Sequence, residues 1–213
     1  MRKILAGACA ALLVVAGARD VGAQAFGQLN GAEVLPVNAH LFGGYLNASD
    51  HLLGLFSQLR LSFYPGIDFG FQGGVTRVEM QGSDVSIIRV GGDMKVQVLR
   101  TAANSPVDLS IGGALGIETG DDISVFGIGP TAVASRSFSM GANGSLVPYA
   151  GIGLLVQQTE LGNDDDSGVS VPLRLGSEFR FSPEFRMLLE FDFFLNDDFH
   201  DDVGLITGVN LPF

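Results

Sequence analysis

The residues of this sequence best suited to chemistry are aspartates and histidines in short acidic segments. Asp198 and His200 are separated by one residue, and Asp121 and Asp122 are adjacent. A carboxylate and an imidazole that hold a water molecule between them can act as a general base on a peptide carbonyl. Such short pairs arise easily by chance where aspartate is abundant, and no serine or cysteine nucleophile stands at a telling distance from any histidine. We therefore assign no catalytic residue and expect a protein that is not an enzyme.

The same acidic segments suit a hard divalent cation. Carboxylates crowd together in "GNDDDSG" and "NDDFHDD", where they repel one another unless an ion or solvent screens them. Neither segment has the twelve-residue pattern of ligands at alternate positions followed by a terminal glutamate. Solvated acidic loops are the prediction, with divalent cations as candidate partners. We assign no metal ligand and no cofactor.

The N-terminus reads as an export signal. "MRKILAGACAALLVVAGARDVGAQA" has Arg2 and Lys3, an apolar stretch over residues 4–18 and small residues around Ala23. This is the pattern of a secretory signal peptide, and we predict residues 1–23 as the signal, cleaved after export by the general secretory route. The only cysteine, Cys9, would leave with it.

Charge excludes one class of partner. The sequence carries a formal net charge of −11, and removal of residues 1–23 leaves 9 basic and 22 acidic residues, a net charge of −13. A chain this acidic repels the phosphate backbone, so we expect no nucleic-acid partner.

The sequence is hydrophobic overall, but its apolar residues do not form long uninterrupted runs. The mean hydropathy is +0.34 and 46% of the residues are hydrophobic, yet beyond the N-terminus no apolar run approaches the roughly 18 residues of a spanning helix. Thirty glycines also argue against helices. Within lipid only helices and closed barrels satisfy every backbone polar group. A soluble sandwich alternates in the same way, but the export signal favours a membrane barrel.

Period-two alternation supports strands throughout the chain. In "FRMLLEFDFFL", Met187, Leu189 and Phe191 share one face, and Glu190 and Asp192 share the other. We predict an all-β, closed antiparallel transmembrane β-barrel of ten strands, with eight as the alternative. An even number of strands lets both chain termini lie on the periplasmic side. The windows are 37–47, 53–64, 67–80, 85–100, 107–118, 122–139, 145–158, 168–181, 185–195 and 203–213.

The connections between these strands fall into two classes. Those after strands two, four, six and eight are compact, and we call their end of the barrel the compact rim. Those after strands one, three, five, seven and nine are rich in aspartate, and we call their end the acidic rim. Its aspartates are Asp50, Asp84, Asp121, Asp122, Asp164, Asp165, Asp166, Asp197, Asp198, Asp201 and Asp202.

The last segment, "VGLITGVNLPF", places Val209, Leu211 and Phe213 on one face. Here the sequence resembles the bacterial outer-membrane β-barrel family, whose assembly machinery recognises a last strand that ends in phenylalanine. The resemblance implies a monomer in the outer membrane, in contact with lipid and lipopolysaccharide and assembled through its last strand. It implies a periplasmic lead-in over residues 24–36, a barrel over residues 37–213 and an acidic rim that faces outside. Ten-stranded aspartyl proteases of this family pair a two-aspartate site with an Asp-x-His site.

The inward face of the predicted barrel is charged. Its basic members are Arg60, Arg89, Lys95, Arg174, Arg180 and Arg186, and its acidic members are Asp68, Asp93, Asp108, Glu118, Glu178, Glu190 and Asp192. A barrel of eight to ten strands is about filled by its own side chains, so we predict a paired polar core instead of an open pore. The function predicted is structural, adhesive or surface-interactive. A narrow channel for ions or small solutes is the first alternative, and a protease or lipid-modifying enzyme at the rim is the second.

Overall fold

The computed structural model describes residues 27–49, 52–80, 83–103, 105–121, 123–141, 144–161, 164–195 and 203–213. The predictions for residues 1–26, including the signal peptide, lie outside this part of the chain. Within it, no helix is long and apolar enough to cross a bilayer. The one short helical turn that the described residues contain is Thr101–Ala103.

Ten antiparallel strands form one closed sheet, which confirms the ten-strand prediction over the eight-strand alternative. They are β1 (His40–Ser49), β2 (Leu52–Tyr64), β3 (Ile67–Met80), β4 (Ser83–Leu99), β5 (Asp108–Gly120), β6 (Ile123–Ser135, resuming at Phe138–Ser139), β7 (Ser145–Gly153 and Leu155–Leu161), β8 (Asp164–Ser170 and Pro172–Arg180), β9 (Arg186–Phe194) and β10 (Gly204–Pro212). Each strand pairs with its neighbours in sequence.

The first and last strands close the barrel. β1 pairs with β10 from Leu41 opposite Pro212 to Ala48 opposite Leu205. At the compact rim the backbones of His40 and Phe213 exchange two hydrogen bonds, of 3.1 and 3.0 Å, and their rings stack with centroids 5.3 Å apart. The sheet therefore has no open edge at this seam, which removes the pairing hazard of exposed strands.

A local break in the ladder follows from Pro130. This residue lies in β6 opposite Leu154, where β7 is interrupted, and its ring nitrogen has no hydrogen to donate. Leu154 still donates its amide to the Pro130 carbonyl at 3.0 Å. Pairing continues on both sides, from Ile128 opposite Val156 to Thr131 opposite Gly153. The irregularity at Pro130 leaves the strand order unchanged.

The two faces of the sheet separate as the alternation predicts. Outward positions such as Val90, Leu115 and Met187 are apolar and exposed, while inward positions such as Arg60 and Glu190 are buried. Aromatic side chains cluster outside the compact rim. The pairs Phe63–Phe69 and Phe181–Phe185 lie there, with ring centroids 6.4 and 6.2 Å apart. Such girdles occur where a barrel wall meets the membrane interface.

The compact rim contains tight connections. Gly66 has a φ of 78°, a left-handed conformation that favours glycine, and it turns the chain between β2 and β3. At the acidic rim the structure differs from the predicted window, because β8 begins at Asp164 rather than at residue 168. Asp165 and Asp166 pair with Glu160 and Thr159 of β7, so this hairpin extends the wall where the sequence predicts a loop.

Candidate functional site

The interior of the barrel is occupied by part of the chain itself. Residues 27–35, which we call the lumenal segment, precede β1 and run inside the barrel. Gln28, Leu29, Ala32 and Leu35 are all buried there. The sequence predicts these residues as part of a periplasmic lead-in, whereas the structure places them inside the barrel, enclosed by its strands.

Lys95 of β4 is the main anchor of the lumenal segment. Its ammonium group donates to the side-chain oxygen of Asn30 at 3.0 Å and to the carbonyls of Gly31 and Glu33, each at 2.9 Å. The Lys95 side chain is fully buried, and Asp68 lies 3.7 Å from its nitrogen. A buried ammonium needs such partners, because an uncompensated charge in the interior costs several kcal/mol.

Further side chains of the wall bind the backbone of the segment along its length. Ser135 accepts from the amide of Ala32 at 2.9 Å, and Asp68 accepts from the amide of Leu35 at 3.1 Å. The wall also donates to carbonyls of the segment, from Gln58 and Gln72 to Gly27, from Arg174 to Gln28 and from Asn210 to Leu29. These bonds satisfy backbone groups that no β-ladder reaches.

Apolar packing completes the fit of the segment. Leu29 and Ala32 belong to a buried cluster that lines the middle of the lumen. Its wall members are Tyr45, Phe56, Val133, Tyr149, Leu188 and Ile206. The lumen is therefore filled at this level by aromatic and aliphatic side chains as well as by ion pairs.

Arg60 is the centre of one buried ionic cluster. Its guanidinium lies 2.5 Å from Asp68 and contacts both oxygens of Asp93, at 3.0 and 2.8 Å. All three side chains are essentially inaccessible to solvent. Bidentate geometry of this kind is what an arginine–carboxylate pair requires to offset the desolvation of both charges.

A second cluster surrounds Glu178 near the compact rim. The carboxylate of Glu178 accepts from Arg180 at 2.5 Å and from Arg186 at 3.3 Å, and Asn210 donates to its other oxygen at 3.3 Å. Arg180 also pairs with Glu33 at 2.5 Å, so this cluster ties the wall to the lumenal segment. Elsewhere in the lumen Arg89 pairs with Glu118, and the Tyr149 hydroxyl donates to Glu190 at 2.5 Å.

A cavity opens at the compact rim beside the lumenal segment. Its volume is about 650 Å³, and its lining includes Glu33, Val34, Arg100, Arg180 and Arg186. The cavity is bounded by the end of the segment on one side and by the turns of the compact rim on the other. It is the mouth of the lumen at this end.

The acidic rim is only partly described. Asp121 and Asp166 are exposed there. Of the pairs weighed as a general-base site, Asp122, Asp198 and His200 lie outside the described residues, so that site stays a prediction from sequence. The same holds for Asp50, Asp197, Asp201 and Asp202, and no side chain is described for Asp84, Asp164 or Asp165. Among the residues described, no group of three or more metal-binding side chains converges.

All thirteen charged residues predicted on the inward face lie on that face in the structure. What sequence reasoning missed is the lumenal segment, for which inward glycines are the available signal. Gly112 is an example, because a Cβ added there would meet the Met94 carbonyl of the neighbouring strand and would also lie 3.2 Å from the Gln28 side-chain nitrogen. Within the segment, Gly31 lies equally close to the wall, because its Cβ would lie 3.2 Å from Cβ of Ser135. Inward glycines leave space that other atoms must fill, since protein interiors are close-packed.

Neither a family model nor a curated protein sequence matches this chain. Solved structures do. An outer-membrane channel from Pseudomonas putida F1 has a TM-score of 0.51 at 9% identity, over 85% of this chain and 98% of that one. The N-terminal β-barrel domain of OprF from Pseudomonas aeruginosa has a TM-score of 0.36 at 10% identity, over 83% and 98%. The first of these likenesses shows the fold, which is that of the outer-membrane β-barrel proteins.

Proposed function

We propose that this protein is a monomeric, non-enzymatic outer-membrane β-barrel with a closed lumen, and that it acts through its surface as a structural, adhesive or surface-interaction protein. The observation that carries the proposal is the filled interior, in which the lumenal segment and the inward ion pairs occupy the space that a porin leaves to water. The exposed apolar outer face supports insertion in lipid, because such a face has no favourable place in water.

The closed lumen argues against conduction as the resting activity. Arg60, Lys95, Glu178 and Glu190 are fully buried, and each has a charged or hydrogen-bonding partner on the wall or on the lumenal segment. Rings of charge that select ions in open channels face water instead. The Pseudomonas putida protein is described as a channel, and its likeness to this chain extends to the fold alone.

Recording from planar bilayers tests the closed lumen. The purified barrel, folded into lipid, is expected to leave the bilayer without steady single-channel steps in molar potassium chloride. A detergent-only sample is the negative control. Steady steps from the unmodified protein would instead favour the channel alternative and contradict the proposal.

The acidic rim is the surface that we assign to partners. With the compact rim toward the periplasm it faces outside, where divalent cations would bridge its carboxylates to phosphates of lipopolysaccharide. The exposed carboxylates of Asp121 and Asp166 are available for such binding, which supports this assignment of the surface. Isothermal titration of the folded barrel with calcium or magnesium is expected to give heat that falls when both residues are changed to asparagine. No heat with either ion would remove the cations from the proposal.

The enzyme alternative has a direct test at the same rim. The variants Asp198→Asn and His200→Ala are compared with the unmodified barrel on labelled peptides and labelled lipid. We expect no turnover by any of the three proteins. Turnover that both substitutions abolish would establish the rim enzyme and overturn the non-enzymatic proposal.

A further inference from the structure

The lumenal segment is held in the barrel by contacts that could break without opening the wall of strands. Its recorded polar contacts join its backbone, Gln28, Asn30 or Glu33 to side chains of the wall, among them Lys95, Thr131 and Ser135. The β-ladders are made without it, because β1 pairs directly with β10. Withdrawal of the segment would therefore break side-chain contacts and leave the closed wall in place.

A cavity at the compact rim offers space into which the segment could move. It joins β1 through one tight turn, in which Ala39 donates to the Pro36 carbonyl at 3.0 Å and Asn38 has a φ of 62°. The cavity of about 650 Å³ lies beside this turn and is lined by residues of the segment itself, including Glu33 and Val34. Movement toward the compact rim therefore meets open space, not packed side chains.

The wall behind the segment suits water and ions. It is lined by the six basic and seven acidic inward residues named above, together with amides such as Gln58, Gln72 and Gln157. Water can solvate these groups once the segment has left, whereas an apolar wall would stay dry. The small excess of acidic residues favours cations slightly, as rings of carboxylates do in cation channels.

An apolar cluster narrows the path near the acidic rim. Val78, Ile87, Ile123 and Val125 are buried there on strands β3, β4 and β6. Apolar constrictions limit conduction because water wets them poorly. Any path through this barrel is consequently narrow and passes small ions only.

We propose that the lumenal segment is a displaceable plug, and that the barrel conducts small inorganic ions, with a weak preference for cations, when this segment leaves the lumen. This inference rests on the membrane-spanning barrel proposed above and adds a second, conducting state to the closed one.

The variant Lys95→Met tests the plug by removing its anchor. It deletes the three hydrogen bonds to Asn30, Gly31 and Glu33 while keeping a side chain of similar length. We expect channel openings at least about tenfold more frequent than in the unmodified barrel, because the balance shifts toward the displaced segment. The matched control is Arg136→Met, which removes one positive charge from an exposed position on the compact rim and is expected to open no more often than the unmodified barrel.

A disulfide distinguishes movement of the segment from a change in the wall. An ideal Cβ on Gly31 lies 3.2 Å from Cβ of Ser135, close to the separation of about 3.5–4.5 Å that a disulfide needs. In the Lys95→Met background, the added pair Gly31→Cys and Ser135→Cys is expected to silence the barrel when oxidised and to restore openings after reduction. In a salt gradient, the reversal potential of the reduced protein should indicate a weak preference for potassium over chloride.

The outcomes separate the two proposals. Circular dichroism of each variant in lipid confirms that the strands have formed. A folded Lys95→Met barrel that never opens, or an oxidised barrel that conducts as the reduced one does, would overturn the plug. Steady conduction by the unmodified barrel would instead contradict the closed lumen, and the same disulfide placed in that barrel would show whether the segment controls it.

Discussion

Buried charges in the lumen depend on particular partners, and Arg60 depends on two. The variant Arg60→Met leaves Asp93 buried without its guanidinium, while Asp68 keeps the ammonium of Lys95 at 3.7 Å. Breaking a buried pair on one side costs about 3–5 kcal/mol, so we expect the free energy of unfolding in lipid vesicles to fall by that amount. Urea titration followed by circular dichroism measures the change, because the sequence has no tryptophan for fluorescence.

The double variant Arg60→Met with Asp93→Leu provides the control for that measurement. Replacing both partners by apolar residues removes the orphaned charge, and we expect it to recover a large part of the lost stability. If the double variant were less stable than Arg60→Met by a further full increment, the two residues would not be acting as a pair.

Tyr149 gives a second prediction at the level of one atom. Its hydroxyl donates to Glu190 at 2.5 Å in a buried setting, and Tyr149→Phe removes that donor while keeping the ring in the apolar cluster. A lost hydrogen bond to a buried charged group costs about 1.5–3 kcal/mol of unfolding free energy. The matched change Tyr64→Phe, at an exposed position on the compact rim, should alter stability by less than about 0.5 kcal/mol. Equal effects at the two sites would contradict the role assigned to the Tyr149 hydroxyl.

At the scale of the strand, the outward face is defined by what it touches. β5 presents Ile111, Leu115 and Ile117 outward, while the inward Ala114 and Glu118 are buried. A wall of this kind is stable only when lipid covers the apolar side. Whether a position faces lipid or the lumen therefore determines the effect of a substitution there.

The variant Leu115→Arg tests this assignment of faces. Leu115 is outward near the middle of β5, so an arginine there would lie in the hydrocarbon region and cost about 2–4 kcal/mol of unfolding free energy. Leu99→Arg is the matched control, because Leu99 ends β4 at the compact rim and is about equally exposed, and its expected cost is roughly 0–1 kcal/mol. Urea unfolding of both variants in vesicles provides the comparison. Equal costs would show that the middle of β5 does not face lipid.

The whole molecule has two unlike ends. In the part of the chain that the structure describes, Arg100 and Arg136 lie at the compact rim and Arg180 and Arg186 point into its mouth, whereas the exposed carboxylates Asp121 and Asp166 belong to the other end. We expect this polarity to orient the molecule in the membrane that the proposed function assigns to it. The proposed binding of cations at the acidic rim rests on the same charge difference.

Assembly of the barrel gives a prediction at this scale. The Phe213 side chain is 72% exposed and stacks on His40, while the bonds that close the seam come from the backbone. We expect Phe213→Ala to refold in vitro with an unfolding free energy lowered by less than about 1.5 kcal/mol. In cells we expect much less folded barrel in the outer-membrane fraction, because the assembly machinery is proposed to bind the last strand. Normal cellular levels of this variant would remove that partner.

Much of this fold is predictable from sequence because side-chain direction in a strand is local. Met187, Leu189 and Phe191 face outward and Glu190 and Asp192 inward, as their alternation alone requires. The same local rule found the inward charges. It did not find the earlier start of β8 at Asp164, because strand propensity of aspartate is low and pairing with β7 overrides it.

The sequence by itself determined the number of strands, the face of each inward charge and the division of the turns between two rims, since these depend on a period of two and on turn residues. Only the tertiary structure decided which charges meet, because Arg60 and Asp93 come together through the register of three strands. It also decided the place of the lumenal segment. Residues 27–35 carry no strand pattern, and their position follows from the space and the unsatisfied groups that appear once the wall has closed.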